Sequence, residues 1–345
     1  MKMRVILLLI MMNVLSLAVT TLAIAQDRAG TSAAPELLIP LGAKEVAMSG
    51  ATVSSASGVS AIYWNPAGLD MMDVSASAIF SHRSYIADIG INYIAVASKF
   101  SGFGSVGLTL RSFGIGDINV TTEDQTDGTG EIISPTFFTL GLTYSKQLTD
   151  NVSVGATVNM VNESFARVSA SGIAVDAGVQ YQNLGGMKGL GIGVCVKNIG
   201  TTMQYSGSGL WVLATDPSSQ RGLTQYKVEA ASYQMPSVIE IGLGYNTEIA
   251  ENINVLISGA FENDNYGLDK YRIGGEVSYM KSLFLRAGYL YSTNLYGNES
   301  IFQNMTLGFG IDLKEYVGIA MGFDYAYVPV KYFDANHLFD IRIDF

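Results

Sequence analysis

The last ten residues, Asn336-His-Leu-Phe-Asp-Ile-Arg-Ile-Asp-Phe345, decide the fold class. Apolar Phe339, Ile341 and Ile343 alternate with charged residues, and the sequence stops on the aromatic Phe345. Alternation with a period of two predicts a β-strand that has one apolar and one polar face. A strand of this kind, with no cap or tail behind it, is typical of a closed membrane barrel, because its last strand pairs with its first and leaves no free edge. The remaining alternative is the edge strand of a soluble β-sandwich.

The same alternation recurs from about residue 74 onward, and it predicts an all-β transmembrane antiparallel barrel of about fourteen strands. An even count of this size lies within the range of single-chain bacterial barrels, and strands of about nine to thirteen residues suit a tilted path across a bilayer. The predicted strands are 74–82, 88–99, 103–113, 136–148, 151–163, 171–183, 189–199, 236–247, 251–262, 270–281, 282–293, 301–313, 316–327 and 337–345.

The links between the predicted strands are of two kinds, and this asymmetry supports a barrel in an outer membrane. Links after odd strands are often long, near 114–135 and 200–235. Short turns on one side and long loops on the other are typical of the periplasmic and extracellular sides of such barrels. The tight turns predicted after even strands are Thr149-Asp150, Glu248-Ile249-Ala250, Lys281-Ser282 and Lys314-Glu315. The tyrosines predicted to form interfacial girdles are Tyr144, Tyr181, Tyr245, Tyr279, Tyr291 and Tyr327.

The composition agrees with a membrane barrel. Charged residues make up 14% of the chain, against roughly 25% in soluble domains. Hydrophobic residues make up 48%, yet they are spread along the chain, and no later run of about 18 apolar residues predicts a membrane helix. Only a helix or a closed barrel satisfies its backbone hydrogen bonds in lipid, so the composition favours the barrel.

The amino terminus predicts export by a cleaved signal peptide, residues 1–25. Lys2 and Arg4 form a positive start, residues 5–19 form an apolar core, and Ala23-Ile24-Ala25 is a small-x-small cleavage site. We therefore expect a mature protein in the bacterial outer membrane, in contact with outer-membrane lipid.

The charge and the cysteine content exclude some function classes. Loss of Lys2 and Arg4 changes the formal net charge from −10 to −10 − 2 = −12. Such acidity argues against nucleic acid as a partner. The single cysteine, Cys195, cannot form an internal disulfide, so the chain is not a disulfide-stabilised scaffold.

Residues 26–72 do not alternate like the rest of the chain, and we expect them to form a separate hatch, with the barrel at 73–345. The segment contains a rigid turn, Asn65-Pro66-Ala67-Gly68, because proline fixes φ and asparagine tolerates turn geometry. A floppy periplasmic leader and a plug inside the lumen are both possible for such a segment. Apolar side chains such as Ile62 and Trp64 favour the buried plug.

The amino-terminal run also resembles a known family. The pieces that carry the resemblance are Gly42-Ala43, Met48-Ser-Gly-Ala51 and Ala61-Ile-Tyr-Trp-Asn-Pro-Ala-Gly-Leu69. Together they are similar to the amino-terminal signature of the PorV/PorQ family, within the superfamily of the fatty-acid transporter FadL. The turn Asn65-Pro66-Ala67 is the element shared across that superfamily. The resemblance implies a fourteen-stranded barrel with an amino-terminal hatch in its lumen.

The resemblance implies two functions, which remain alternatives. For PorV-like proteins it implies a component of type IX secretion that receives cargo from the translocon and passes it to the surface attachment machinery. The implied partners are secreted cargo with carboxy-terminal sorting domains and secretion-system subunits. For FadL-like proteins it implies passive transport of fatty acids or other hydrophobic compounds. The terminal Phe345 resembles the signal read by the barrel-assembly machinery, so we expect its loss to impair assembly.

The sequence predicts no catalytic residues, no metal site and no cofactor. The two histidines, His82 and His337, are far apart and lack a nucleophile-elbow glycine pattern, and no Cys/His spacing fits zinc. Cys195 lies beside Lys197 and is interpreted as a small packed residue rather than a reactive thiol. The acidic stretch 123–131 does not match an EF-hand loop, which favours a solvated loop over a calcium site.

Two further groups of residues are candidates for function. Charged residues at inward-facing strand positions are interpreted as anchors for the hatch, because the lipid face would penalise them by about 2–4 kcal/mol at the midplane. They are Arg111, Asp176, Lys197, Glu240, Arg272, Glu276, Arg286, Asp312, Asp324, Asp340 and Arg342. Apolar residues of loop 200–235 are either anchors for a partner or a cover for the barrel mouth. They are Leu210, Trp211, Leu213, Tyr226 and Tyr233.

Overall fold

The chain forms a closed antiparallel barrel of fourteen strands, each hydrogen-bonded to the strand that follows it in sequence. The computed structural model describes residues 30–215, 218, 222–292, 304–314 and 320–345, so the predicted signal peptide lies outside the described residues. The predicted fold class and strand count are confirmed. The strands, labelled β1–β14 in chain order, are Ala76–Ser84, Gly90–Phe100, Gly104–Gly114, Thr136–Gln147, Val152–Phe165, Val168–Tyr181, Leu190–Gly200, Val238–Ala250, Ile253–Asp264, Lys270–Tyr279, Leu283–Ser292, Met305–Asp312, Met321–Val328 and Asn336–Asp344.

The terminal strand closes the ring. β14 pairs with β1 from Ser77 opposite Asp344 to Ser84 opposite His337. The ladder continues past the end of β14, because the Phe345 N–H donates to the Ala76 carbonyl at 2.8 Å. A closed ladder satisfies the backbone in lipid without a free edge.

The alternation seen in the sequence becomes the two faces of the wall. On β14, Phe339 and Ile341 are exposed on the outer surface, whereas Leu338 and Asp340 are buried on the inner side. On β8, Ile239 and its alternate neighbours are likewise exposed. An apolar outer face suits the acyl chains of a membrane and the inner face is more polar, which explains why a chain with so little charge folds this way.

The barrel has two different ends, here called the turn end and the loop end. The turn end carries short links such as 101–103, 148–151 and 280–282, together with the start of β1 and the finish of β14. The loop end carries the long links 115–135 and 201–237. In outer-membrane barrels short turns lie on the periplasmic side and long loops outside, so we expect the turn end to face the periplasm.

Two predicted connections are wrong in position. The turn predicted at Glu248-Ile249-Ala250 lies inside β8, which runs to Ala250 through a register shift, and the turn itself is at residues 251–252. The link predicted at 164–170 shrinks to Ala166 and Arg167, because β5 and β6 each extend to fourteen residues. In both places the strand continues beyond the alternating apolar pattern, which marks only the lipid-facing part of a strand.

Short elements accompany the barrel. None of the helices in the described ranges is long and apolar enough to cross a bilayer. The two-stranded ribbons of the loop end are Ile118–Asn119 with Ile132–Ile133, Met203–Gln204 with Ser232–Tyr233, and Trp211–Ala214 with Thr224–Lys227. The 3₁₀ helices are Pro35–Leu38, Gly58–Ser60, Pro66–Met71, Ile86–Asp88, Leu184–Gly186 and Ser208–Leu210, and the α-helices are Ala43–Val46 and Ala61–Trp64.

Residues 30–72, here called the N-terminal segment, run along the inner face of the barrel. The segment starts at the loop end, where Arg83 near the finish of β1 donates to the Pro40 carbonyl at 2.8 Å. Halfway along, Met48 packs against the inward-facing Gly274. At the turn end, Asp70 accepts hydrogen bonds from Ser105. The segment therefore connects the two ends of the lumen, while its role as a hatch and the domain boundary after residue 72 stay predictions.

Candidate functional site

The tetrapeptide Asn65-Pro66-Ala67-Gly68 lies near the turn end of the barrel. Its hydrogen bonds connect it to an earlier part of the N-terminal segment and to the barrel wall. The Asn65 amide group donates to the Val53 carbonyl at 2.8 Å and to the Val179 carbonyl of β6 at 3.3 Å, and its Oδ1 accepts from the Ala67 N–H at 3.2 Å. Pro66 then begins a 3₁₀ helix. Gly68 lies against the Ala56 carbonyl so closely that any side chain there would collide with it. The tetrapeptide thus works as a buried hydrogen-bonded corner.

Inward-facing glycines of the wall make room for this backbone. A Cβ at Gly155 of β5 would collide with Pro66, and one at Gly193 of β7 would collide with the backbone of Val53 and Ser54. Backbone cannot rotate away as a side chain can, so these positions require glycine.

Asp70 and Lys99 fasten the segment where it leaves the lumen at the turn end. The Asp70 carboxylate accepts from the Ser105 hydroxyl at 2.6 Å and from the Gln147 N–H at 2.7 Å. Lys99 Nζ donates to the Asp70 carbonyl at 2.7 Å and to the Met72 carbonyl at 3.0 Å. Charge-assisted hydrogen bonds of this kind are stronger than neutral ones, so the exit of the segment is firmly held.

A ladder of alternating charges crosses four neighbouring strands, β7 to β10, in the half of the lumen nearer the loop end. Its ion pairs are Lys197 with Glu240 at 3.1 Å, Arg272 with Glu240 at 3.0 Å, Arg272 with Glu262, and Lys270 with Glu262 at 2.7 Å. All of these side chains except Lys270 are at most 8% exposed. A buried ion is costly without a partner, so the ladder is stable only as a complete set.

Two aromatic residues of the N-terminal segment cover this ladder. Lys197 Nζ lies 4.8 Å from the centre of the Tyr63 ring and 5.1 Å from that of Trp64, and the Arg272 guanidinium lies 5.9 Å from the Trp64 ring. Cation–π contacts strengthen when they are shielded from water. Burial raises the pKa of Tyr63, and its hydroxyl stays a neutral donor. The ladder therefore holds the segment as well as pairing charges within the wall.

The other inward charges fall into smaller groups. Arg286 pairs with Glu276 at 2.6 Å and with Asp324 at 2.5 Å, and Arg342 pairs with Asp312 at 2.9 Å near the turn end. Asp340 instead accepts from the backbone N–H of Ala43 in the N-terminal segment at 2.5 Å. Asp176 accepts from Asn159 at 2.7 Å. Most of the predicted set is buried on the inner side, whereas Glu276, Asp312 and Arg342 are half-buried. Asp340 and Asp176 accept from amide groups rather than pairing with opposite charges.

The space left between the segment and the wall is small. Two cavities of about 20 Å³ each lie beside Leu37 and Tyr63. One is lined further by Arg111 and Asp176, the other by Glu240 and Arg272. A cavity of this size holds about one water molecule, and each is lined by both polar and apolar side chains.

The loop end presents an exposed apolar ribbon, here called the loop hairpin, formed by Trp211–Ala214 and Thr224–Lys227. Trp211 is 52% exposed and Leu213 66%, and both point to one face of the ribbon, because they alternate with Val212. Val212 lies opposite Tyr226 on the other face, and both are exposed. Leu210 is half-buried at the base.

The rest of the same loop is tied to the N-terminal segment. Met203 and Met235 pack on Ala34 and Leu37 in one buried apolar cluster. The Ala33 N–H donates to the Gln234 carbonyl at 2.9 Å. Tyr233, which the sequence grouped with the anchors, pairs with Met203 in a separate short ribbon away from the loop hairpin. The loop therefore has a docked base and a protruding hairpin, a division that composition alone did not reveal.

Three ionisable side chains from different elements lie close together beneath the base of loop 201–237. The Tyr205 hydroxyl of loop 201–237 donates to the Glu163 carboxylate of β5, and Glu36 of the N-terminal segment lies beside that carboxylate. Burial has the largest effect on the pKa of Glu36, and the neighbouring Glu163 the next largest; together they raise it to about 7. The positive charge of Arg111 lowers it. Burial and the same carboxylates raise the pKa of Tyr205. Sequence inspection missed this group because its members are far apart in the chain.

The remaining sequence candidates carry no assembled chemistry among the described residues. His82 hydrogen-bonds to Asn92 and His337 to Tyr325, each at 2.8 Å within the wall. Cys195 is fully buried. No three carboxylate, histidine or cysteine side chains of the described ranges gather as metal ligands, and stretch 123–131 is largely exposed.

Phe345 lies at the turn end with 73% of its side chain exposed. Its backbone carbonyl accepts from the N–H groups of Ser75 at 3.1 Å and Ala76 at 3.2 Å. The residue thus extends the closing ladder while its ring stays accessible on the surface. Its role as an assembly signal stays a prediction.

Comparisons with known proteins complete the description. A family model described as "Type IX secretion system protein PorV" matches residues 22–212. No curated protein matches the chain. The Pseudomonas putida toluene transporter TodX is 14% identical over 87% of this chain and 96% of its own, with a TM-score of 0.53. A Pseudomonas aeruginosa FadL homologue is 12% identical over 89% and 99%, with a TM-score of 0.52. Similarity to structures at these identities shows the fold alone. The family match and the barrel together locate the chain in a bacterial outer membrane.

Proposed function

The chain belongs to the PorV family of type IX secretion system proteins, and we propose on this premise that it binds exported cargo proteins and other secretion subunits at the outer membrane. It does so as a binding protein without chemistry of its own. The loop hairpin is the observation that supports the proposal most strongly.

The loop hairpin has the character of a docking surface. Exposed contiguous apolar residues on a soluble surface usually mark an interaction site, and tryptophan, tyrosine and other large side chains dominate binding energy at such sites. Trp211 and Leu213 on one face and Val212 and Tyr226 on the other give a partner two apolar faces. A residue that only closed the barrel mouth would be buried on the segment, as Met203 is.

The geometry of the loop also suits recognition from outside the cell. The base of the loop is packed on Ala34 and Leu37, so the loop hairpin is presented from a fixed support rather than a floppy tether. A rigid support lowers the entropy that binding must overcome. The wall contacts outer-membrane lipid, and the barrel-assembly machinery delivers it there.

Affinity purification from native membranes tests the proposal. Tagged wild-type protein is compared with a variant that carries Trp211→Ser and Leu213→Ser. Ile118→Ser with Ile132→Ser is the matched control, since both isoleucines are exposed on a different ribbon at the same end. We expect wild type and control to recover exported proteins and secretion subunits, and the hairpin variant to recover several-fold less. Equal recovery from all three, or recovery of the barrel alone from wild type, contradicts the proposal.

Passive transport of hydrophobic compounds is the alternative, and the fold shared with TodX favours considering it. Transport needs a path through or out of the lumen. In the described lumen the N-terminal segment lies along the wall, and the two cavities beside Leu37 and Tyr63 are about 20 Å³ each, too small for a fatty acid. Uptake of labelled fatty acid into liposomes that contain the purified protein decides between the two. Rapid, saturable uptake favours transport, and leakage no faster than in empty liposomes favours the binding role.

A further inference from the structure

Residues 34–41 of the N-terminal segment, here called the mouth strip, are held mainly by side chains that donate to their carbonyl groups. The donors come from two wall strands and from the helix Ala61–Trp64. They are Arg111 Nη1 to the Glu36 carbonyl at 3.0 Å, Tyr63 Oη to Ile39 at 3.1 Å, Arg83 Nη1 to Pro40 at 2.8 Å, and Trp64 Nε1 to Leu41 at 2.9 Å.

This arrangement recognises backbone rather than a particular sequence. Arg83 and Arg111 are both more than nine-tenths buried, and within the described ranges neither forms an ion pair with a carboxylate. A buried guanidinium needs hydrogen-bond acceptors, and here the carbonyl oxygens of the mouth strip supply them. Glu36 lies in the 3₁₀ turn Pro35–Leu38 and Pro40 lies beyond it, so any chain that formed a similar turn and then extended would offer both arginines the same carbonyl acceptors.

The side chains of the mouth strip fit less completely than its backbone does. Leu37 is buried in an apolar pocket with Met203 and Met235, and Ala34, Glu36 and Leu41 are buried as well. Residues 38–40 are only half-buried, and Pro35 is exposed. Both small cavities of the lumen lie directly against Leu37. Unfilled space forfeits dispersion contacts, so the strip is packed tightly at Ala34, Leu37 and Leu41 and more loosely at residues 38–40.

The chain also provides a natural point of separation. Gly42 has a φ of +82° and divides the mouth strip from the helix Ala43–Val46. The helix is fixed independently, because Asp340 accepts its first N–H. The strip can therefore leave its groove while the rest of the N-terminal segment stays in the lumen.

We propose that the groove formed by Arg83, Arg111, Tyr63 and Trp64 is a peptide-binding site at the loop end, which the mouth strip occupies as an intramolecular ligand. The external ligand is a polypeptide that adopts the conformation of the strip, a single 3₁₀ turn followed by a short extended stretch, with a leucine for the Leu37 pocket, and it binds after the strip withdraws. The site is distinct from the loop hairpin and does not depend on its role. A tethered occupant acts at an effective concentration in the millimolar range, so an external peptide competes poorly until the strip is weakened.

A synthetic peptide tests the proposal on the full chain. The probe carries the sequence of residues 33–42 and a fluorescent label, and the protein is held in lipid nanodiscs. Leu37→Ser in the protein removes the anchor of the tethered strip and leaves the groove intact. We expect the peptide to bind this variant at least about tenfold more tightly than wild type, because the tethered competitor is weakened. Adding Arg111→Gln to the variant should abolish the gain.

Two further measurements control for non-specific binding and for a variant that fails to assemble. A scrambled peptide of the same composition controls for partition into lipid and should bind neither protein above background. In the wild type, saturating peptide should speed amide exchange in residues 36–41 and leave residues 43–46 unchanged, which tests the site even if the variant fails to assemble. Equal binding of the scrambled peptide, or no binding to the variant together with unchanged exchange in wild type, overturns the proposal.

Discussion

The wall of the barrel and the N-terminal segment inside it are held by different kinds of interaction. Most wall strands pair through continuous backbone ladders, as between β5 and β6, and away from the inward glycines they depend mainly on the correct alternation on each face. The segment is held by individual side chains that reach its carbonyls and N–H groups, such as Asn65, Arg83 and Asp340. The wall should therefore tolerate many substitutions that keep polarity, whereas the segment depends on a few particular residues.

The largest effect should come from removing the room that the segment needs. Gly193→Val puts a branched side chain into the backbone of Val53 and Ser54. We expect the segment to be displaced from the lumen while the barrel still assembles, because β7 keeps its ladder. Ion conductance in planar bilayers measures the result, and the variant should conduct persistently where wild type is closed.

A matched glycine controls for the substitution itself. A Cβ at Gly275 of β10 meets only the Leu256 carbonyl, at an ordinary 3.8 Å. Gly275→Val should conduct no more than wild type. If wild type itself conducts freely, or if Gly193→Val stays closed, the segment does not seal the lumen.

The next effect concerns the charge ladder that links segment and wall. Arg272→Gln leaves Glu240 and Glu262 buried with less positive charge nearby, and breaking a buried pair in this way costs about 3–5 kcal/mol. Arg342→Gln is the control. Arg342 pairs with Asp312 near the turn end and is about 29% exposed, so removing its charge should lower the free energy of unfolding by less than about 1 kcal/mol. Denaturant unfolding in detergent measures both. Equal losses of unfolding free energy in the two variants would show that the buried charge ladder stabilises the protein no more than the Arg342 pair does.

A smaller, pH-dependent effect should appear at the mouth strip. Glu36 has a pKa of about 7 when docked, against 4.5 for an ordinary glutamate, so the docked strip holds its proton more tightly than the free strip. Docking is therefore strongest below pH 4.5 and weakens as the pH rises to about 7, by roughly 3 kcal/mol in total. Burial and the neighbouring Glu163 raise this pKa and Arg111 opposes them, while the Tyr205 hydroxyl donates to Glu163.

Amide exchange of residues 36–41 measures this dependence after correction for intrinsic exchange rates. Wild type should lose protection between pH 5 and pH 8. Glu36→Gln carries no titrating carboxyl and should keep nearly constant protection. A wild-type profile as flat as that of Glu36→Gln would show that the charge of Glu36 does not oppose docking.

The smallest effect should come from the corner near the turn end. Asn65→Ala removes the hydrogen bonds to the Val53 and Val179 carbonyls and leaves buried acceptors unsatisfied, at about 1–3 kcal/mol. We expect occasional opening of the lumen, seen as brief conductance bursts, with normal assembly. Bursts no more frequent than in wild type would show that this corner does not hold the segment.

The sequence predicts the wall well because the wall follows a local rule. Each strand needs one apolar face toward lipid, so Phe339, Ile341 and Ile343 are enough to identify β14 and its inward side. The same rule does not locate the ends of strands that extend beyond the membrane, such as those at Ala250 and Phe165, because no apolar face is needed there.

The contacts of the N-terminal segment cannot be predicted from local sequence patterns. Arg111 is predicted to face inward, but nothing local indicates that it binds the Glu36 carbonyl rather than a carboxylate. Tyr205, Glu163 and Glu36 meet only because the barrel closes. For the loop, composition identified Trp211 and Leu213, but the register that separates them from Tyr233 requires the fold.

The most direct test of the proposed function is site-specific photocrosslinking in living cells. A photoreactive amino acid replaces Leu213 on the loop hairpin, or Ile132 on the other exposed ribbon as a control. The account predicts adducts with exported proteins or secretion subunits from position 213 and few from position 132. No adducts from position 213, or the same adducts at the same yield from both positions, would contradict it.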